Sequence, residues 1–382
     1  TGQFSFNANT KIEFGTKIEN EKLQDLTNEW QHINYRGYNW SLGGNPFGIL
    51  SNPFPLNLNY SIGGNNNLKT NRYSGFIQYS KKFYWGENKM FLNAGVRAQH
   101  WNFNHENLIS PRIQLALKPN WKADMLFRFS AGVYYQAPFY KDIKAQQSLQ
   151  FIAANDYEFQ WNNRPFKLTT ELYYKKLNHL IPYYIDNVRV RYSGENNSKG
   201  YSYGIDARLF GEFVPGVDSW ISASYARTYE NINGKGYIPR PTDQGFRFSM
   251  FFQDYMPKVP SMKVNLTLVY ALGLPTGTPV SFDASGKPNF DMAYLLQKRL
   301  PAYKRVDIGL SKTFIDEKDR KPKSAFWSGF KELTLGIQVY NAFNIHNTIA
   351  NQWMNDVSSS YYYPVPVRLT GRFFNVKLDF KF

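Results

Sequence analysis

Cysteine is absent from the 382 residues. That excludes a disulfide framework and thiolate metal sites, and it suits a chain that crosses an oxidising compartment. No uninterrupted run of about 18 or more apolar residues exists, which excludes membrane-crossing helices. Histidine is scarce, and His32, His100, His105, His179 and His346 are scattered. The interval between His100 and His105 fits neither a helical i,i+4 pair nor a zinc motif, so no metal site is expected. No Ser, His and Asp or Asn set points to a hydrolase, and Ser41-Leu42-Gly43-Gly44-Asn45 and Ser61-Ile62-Gly63-Gly64-Asn65 carry loop glycines rather than a phosphate cradle. Neither an enzyme nor a cofactor is expected. Acidic residues are few beside basic ones, 29 against 45 for a formal +16. No basic run concentrates that charge, which argues against nucleic acid and for anionic lipid, lipopolysaccharide included, or a cationic interior. No charged and apolar leader precedes Thr1, as expected of a mature or a truncated start.

Aromatic residues are plentiful, 31 Phe, 28 Tyr and 9 Trp, yet mean hydropathy is only −0.51. Such a mixture arises when lipid-facing and water-facing side chains alternate along every strand, so that the average conceals two surfaces. The alternation is clearest at the end: Val376, Leu378, Phe380 and Phe382 occupy one parity, Lys377, Asp379 and Lys381 the other. The same period of two recurs around Leu335, Ile308, Leu266, Phe248, Ile205, Leu168 and Phe127, and at the start through Phe4, Phe6, Ala8, Ile12, Phe14 and Ile18, taken as one strand from Phe4 to Glu19. The whole chain, 1–382, then reads as an all-β, antiparallel, up-and-down transmembrane β-barrel segment of about fourteen strands, most long enough to cross an outer-membrane apolar band. Connections alternate as well. Short turns such as Gly86-Glu87-Asn88 and Asn162-Asn163-Arg164-Pro165 face long outer loops near 20–69, 136–150, 182–199, 231–244, 273–302 and 344–369. Brief periplasmic turns and long outer loops are expected of a barrel in the bacterial outer membrane.

Several segments carry a family likeness. Arg128-Phe129-Ser130-Ala131-Gly132-Val133-Tyr134-Tyr135-Gln136-Ala137-Pro138 resembles the barrel strand of TonB-dependent receptors in which Tyr, Gln and Pro close the strand before an outer loop. Arg299 to Phe314, Val339 to Asn344 and Arg372 to Phe382 resemble that family's last three strands. Asn28-Glu29-Trp30, in the first long loop, resembles the version that carries a carboxypeptidase-regulatory-like domain before its plug. The resemblance implies a 22-stranded barrel of which this chain holds the C-terminal portion, without plug or TonB box. It also implies import of a scarce or bulky ligand with energy relayed by the TonB complex, and a possible surface lipoprotein partner. The alternative is a self-standing passive channel whose first strand pairs with its last.

Candidate sites follow from position. Leu378, Phe380 and Phe382 resemble the signal read by the barrel assembly machinery, and they are equally the last lipid-facing row. Arg97, Arg112, Arg128, Glu171, Asp206, Arg208, Arg227, Arg247 and Asp307 are expected on the lumen wall, as a substrate path or as a hydrated, mutually paired lining. Tyr134, Tyr135, Gln136, Tyr140, Arg189, Arg191, Tyr237, Arg240, Trp353 and Arg368 are expected at the outer mouth, where aromatic faces and cations meet a ligand. For each aromatic, membership of the interfacial girdle is the plainer reading.

Overall fold

A computed structural model describes every residue except 34–56, 138–142, 187–188, 257, 278–280, 283–287, 290–297, 317–328 and 357–360. Its strands, in chain order, begin with β1 (Gly2–Asn7), β2 (Thr10–Ile33), β3 (Asn57–Trp85), β4 (Asn88–Trp101), β5 (Glu106–Lys118), β6 (Asp124–Gln136), β7 (Gln146–Trp161) and β8 (Arg164–Leu180). Next come β9 (Tyr183–Asp186), β10 (Arg189–Tyr192), β11 (Ser198–Val214), β12 (Val217–Ile232), β13 (Tyr237–Pro239), β14 (Gly245–Met256) and β15 (Val259–Ala271). The remainder are β16 (Pro275–Thr276), β17 (Ser281–Phe282), β18 (Pro288–Asn289), β19 (Lys298–Arg299), β20 (Tyr303–Ile315), β21 (Glu332–Tyr340), β22 (Thr348–Asp356), β23 (Tyr361–Arg368) and β24 (Phe373–Lys381).

One 16-stranded sheet holds the chain together, running β1-β2-β3-β4-β5-β6-β7-β8-β11-β12-β14-β15-β20-β21-β24, with β13 beside β12. Neighbours in this path pair antiparallel, and two-residue turns make most of the connections at one end. Asn162 and Asn163 both adopt positive φ (52° and 59°) between Trp161 and Arg164, the geometry whose twist matches paired strands and which Asn tolerates. Gly216 (φ 77°) does the same work between Val214 and Val217.

Register fixes two faces. Phe4, Ile12, Tyr79, Ala94, Ile113, Ala131, Phe151, Tyr174 and Tyr203 are successive cross-strand partners. Leu266, Ile308, Val339 and Phe374 continue the same face at the far end of the sheet. Its side chains are exposed, Ile308 by 43% and Phe380 by 56%. An apolar surface this continuous is stable only in lipid, where paired strands leave no backbone group unsatisfied. On the opposite face Arg112, Gly132, Gln150, Lys175, Ser202 and Thr228 are partners in turn.

Three expectations need correction. The opening strand is a hairpin, with Phe4 opposite Ile12 and Asn7 opposite Thr10, so two strands stand where the alternation suggested one. The long loops hold paired strands: β2 and β3 stay paired to Ile33 and Asn57, placing Asn28, Glu29 and Trp30 opposite Gly63, Ile62 and Ser61. The 24 residues of β2 reach roughly 80 Å at about 3.3 Å each, far beyond any bilayer core. Outer ribbons also form from β9 with β10, β16 with β19, β17 with β18, and β22 with β23. Finally, the seam needed for self-closure is missing among the described residues, since β1 and β24 end the path and do not pair with each other.

Above the apolar band a charged cluster ties the outer connections to the strands. Asp243 is fully buried; it pairs with Arg227 at 3.2 Å and with Arg299, and accepts the Thr228 amide at 2.7 Å. Arg299 also donates to the carbonyls of Asp243 and Gly273. Beside it, Glu230 lies 3.5 Å from Arg240 and accepts from Ser198 at 3.2 Å. Burial pushes the Glu230 carboxyl above its ordinary range, while Arg240 and Ser198 draw it back.

Two outcomes are expected. Ile308→Lys destabilises the lipid-inserted barrel by about 2–4 kcal/mol, whereas Thr267→Lys, opposite Asp307 on the polar face, changes it little, both read by denaturant unfolding in vesicles. Asp243→Ala strands two arginines and costs about 3 kcal/mol of local stability, visible as faster hydrogen exchange at Thr228 with unchanged exchange in β24.

Candidate functional site

The polar face is built by strand parity, and eight of the nine expected lumen residues lie on it. Arg128 pairs with Asp156 at 3.1 Å, and Thr169 donates to the same carboxylate at 2.9 Å. Asp307 binds Arg305 at 2.7 Å and accepts the Asn341 amide at 2.8 Å. Glu171 and Asp206 are direct register partners, and Arg208 lies with its guanidinium 5.4 Å from the Trp220 ring centre. Arg247, opposite Ser224 and Ala271, completes this side. Arg227 is the exception. Its partner is Tyr203, which puts it on the apolar parity, where Asp243 and the Tyr229 ring, 5.0 Å away, receive its charge.

Arg97 and Arg112 differ from the paired arginines. Together with Phe76, Gln78 and Gly95 they line a cavity of about 220 Å³. Gly95 and Gly132 are the register partners of Arg112 on its two sides, so neither direct cross-strand partner places a side chain beside it. Tyr134 stands on the same face, its ring centre 5.8 Å from Arg112. Among the described residues neither arginine forms an ion pair.

The residues expected at the outer mouth are dispersed. Tyr135 accepts from Gln147 at 2.7 Å on the apolar parity, while Gln136 pairs with Gln146 at the strand end. Tyr237 is 51% exposed and packs on Tyr201 at 5.1 Å. Arg240 is withdrawn: it is buried, paired with Glu230 and set 5.1 Å from the Tyr183 ring centre, so it holds the rim together. Arg189 and Arg191 face Asp186 and Tyr184 in the β9–β10 ribbon, and Trp353 and Arg368 belong to the β22–β23 ribbon. Tyr140 lies outside the described residues. Leu378, Phe380 and Phe382 sit at the edge, with Leu378 and Phe380 opposite Leu335 and Leu333.

Sequence reasoning missed Asp243, Glu230 and Arg299, whose partners come from distant loops. It also passed over Gly200-Tyr201-Ser202-Tyr203-Gly204, which has the spacing of a hydrolase nucleophile elbow. This stretch is straight strand in β11, with Ser202 held by Thr228 at 2.9 Å, and it lacks the strand-to-helix turn that exposes such a serine. Among the described residues no group of three or more His, Asp or Glu could hold a metal ion, and no helix is long and apolar enough to cross a membrane.

Comparison with known proteins agrees with this geometry. The TonB dependent receptor-like β-barrel family matches residues 1–342. Among solved structures, the outer membrane transporter YddB from Escherichia coli is similar over 99% of this chain and 52% of its own, with 12% identity and a TM-score of 0.61. A mutant of the ferric enterobactin receptor PfeA from Pseudomonas aeruginosa is similar over 97% and 51%, at 15% identity and 0.60. The siderophore receptor PiuA from Acinetobacter baumannii is similar over 99% and 54%, at 12% identity and 0.58. At such identities these structures share the fold, and this chain spans about half their length. No curated protein sequence matches the chain. With a matching family over residues 1–342 and a sheet built on that family's plan, the chain belongs to the TonB-dependent receptor-like β-barrel family.

Proposed function

We propose that this chain is the barrel portion of a TonB-dependent receptor in the bacterial outer membrane, importing a scarce or bulky ligand with energy relayed by TonB. The observation that carries the reading is a continuous apolar outside backed by a polar inner face, in a sheet whose two end strands do not join. A passive channel made of these strands alone needs that seam. The TonB complex would act through a plug domain that these strands do not include. Leu378, Phe380 and Phe382 supply the aromatic end that the barrel assembly machinery reads. The tripeptide Asn28-Glu29-Trp30 supports the version with a carboxypeptidase-regulatory-like domain, and long outer ribbons suit a surface lipoprotein.

For the ligand, Arg97, Arg112 and Tyr134 on the wall are favoured, with Tyr237, Trp353 and Arg368 above them. A cation pair beside a ring and an open cavity receives an anionic, partly planar molecule through charge-assisted hydrogen bonds and stacking.

Uptake is the test. Cells carrying the full-length receptor are offered ferric siderophores, cobalamin, oligosaccharides and peptides as sole sources, with and without TonB. Growth on one of these that requires both proteins is expected; receptor-dependent growth that persists without TonB marks a passive channel. Arg97→Gln combined with Arg112→Gln is expected to raise the half-saturating concentration of the accepted ligand about tenfold, with the amount of folded receptor in the membrane unchanged.

A further inference from the structure

The face of the β2–β3 ribbon that continues the apolar band changes character in steps. Ile18 faces Tyr73, then Asn20 faces Asn71, then Lys22 faces Lys69. Ile18 and Tyr73 are exposed, as lipid-facing side chains are. One step outward, Asn20 donates to Asn71 at 2.7 Å, an amide pair suited to the water boundary. One step further, two exposed lysines are direct register partners on the same face.

Like charges in that position destabilise a strand pair, with Cβ atoms about 5 Å apart. Among the described residues no carboxylate pairs with either lysine to offset the repulsion. The nearby carboxylates of Glu19, Glu21 and Asp25 belong to the opposite parity, where Glu21 pairs with Arg72 at 3.1 Å and Glu19 with Lys17. On the shared face the flanking groups are neutral: Gln24 and Asn67 beyond the lysines, and Tyr73 stacked with His100 below them. His100 is itself engaged with Asn107 at 2.9 Å. Neither Lys22 nor Lys69 has an ion-pair partner among the described residues.

An anion placed between the two ammonium groups removes the repulsion and gains two charge-assisted hydrogen bonds. Height selects its source. Lys22 lies four residues beyond Ile18, roughly 13 Å along the strand, at the level where headgroups replace hydrocarbon. We propose that Lys22 and Lys69 form a docking site for the phosphate of an anionic lipid of the outer leaflet, whose acyl chains lie along Ile18, Tyr73 and Ile77. The inference rests on the membrane placement given under Proposed function, and it is independent of which ligand is imported and of TonB.

The test uses the full-length receptor in mild detergent, titrated with phosphatidylglycerol and followed by native mass spectrometry. Lys22→Gln with Lys69→Gln is expected to weaken lipid retention about tenfold, and Lys22→Arg with Lys69→Arg to preserve it. Lys81→Gln, on the same face at the opposite rim, is expected to leave it unchanged. Equal retention by wild type and the Gln double variant, or an equal loss with Lys81→Gln, overturns the proposal. Phosphatidylcholine should be held more weakly than phosphatidylglycerol by the wild type; equal binding also overturns it. Complete displacement of the lipid by millimolar inorganic phosphate would show an anion site without lipid specificity and would overturn the lipid assignment. Failure of TonB-dependent uptake leaves the inference standing, because lipid retention is read without transport.

Discussion

Every backbone amide placed in hydrocarbon must find its hydrogen bond within the protein, and this requirement governs the rest of the molecule. An unsatisfied group there costs several kcal/mol, so the strands must pair in ladders without interruption across the apolar band. Once paired, they have no freedom of parity: a slip of one residue would turn Ile308 inward and Asp307 into lipid. The irregularities respect this limit. Register shifts fall between Ser5 and Asn7, Gln31 and His32, Ser198 and Gly200, Gly211 and Val214, Tyr255 and Met256, and Thr313 and Ile315, all at strand ends. Bulges are tolerated where water or loop atoms can satisfy the freed groups and not where lipid surrounds them.

Beyond the band the constraint relaxes, and the same strands acquire other uses. β2 and β3 continue as a paired ribbon, while β12 carries Arg227 and Glu230 into a cluster with residues of the next outer connections. Arg227 shows the transition within one strand. Tyr225, two residues nearer the band, is an exposed aromatic of the lipid girdle, whereas Arg227 on the same parity reaches a fully buried carboxylate. Desolvating such charges is costly, and it is sustained only because Asp243 meets two guanidinium groups and a backbone amide together.

How much of this was legible in the sequence depends on whether the signal was local. Alternation exposed the strands and the polar parity of Arg128, Asp206 and Asp307, because a period of two is written in neighbouring residues. It could not show the first turn. A two-residue turn alone pairs residues an odd number apart, as Asn7 with Thr10, but the bulge between Ser5 and Asn7 adds one residue, so Phe4 and Ile12 are eight apart, the alternation is unbroken and two strands look like one. The ribbons were read as loops because runs such as Gly63-Gly64-Asn65-Asn66-Asn67 carry no apolar face to reveal pairing. Arg227 was assigned to the lumen by its charge, although Ile221, Ala223 and Tyr225 set its parity to the other side. The meeting of Asp243 with Arg299 crosses 56 positions and leaves no periodic trace.

The charges that remain unneutralised point to where recognition can occur. Along the polar face three arginines are already committed, Arg72 to Glu21, Arg128 to Asp156 and Arg305 to Asp307, and a committed guanidinium offers little to a ligand because its partner must first be displaced. Arg97 and Arg112 keep their capacity, and glycine on both strands beside Arg112 keeps space open around it. A wall that is paired in one region and open in another concentrates its attraction for an anion at the open region. The same principle applies outside the barrel at Lys22 and Lys69, where an unmatched pair meets lipid rather than the lumen. In both places two cations close together form no ion pair among the described residues, and an anion that is not part of the protein can supply one.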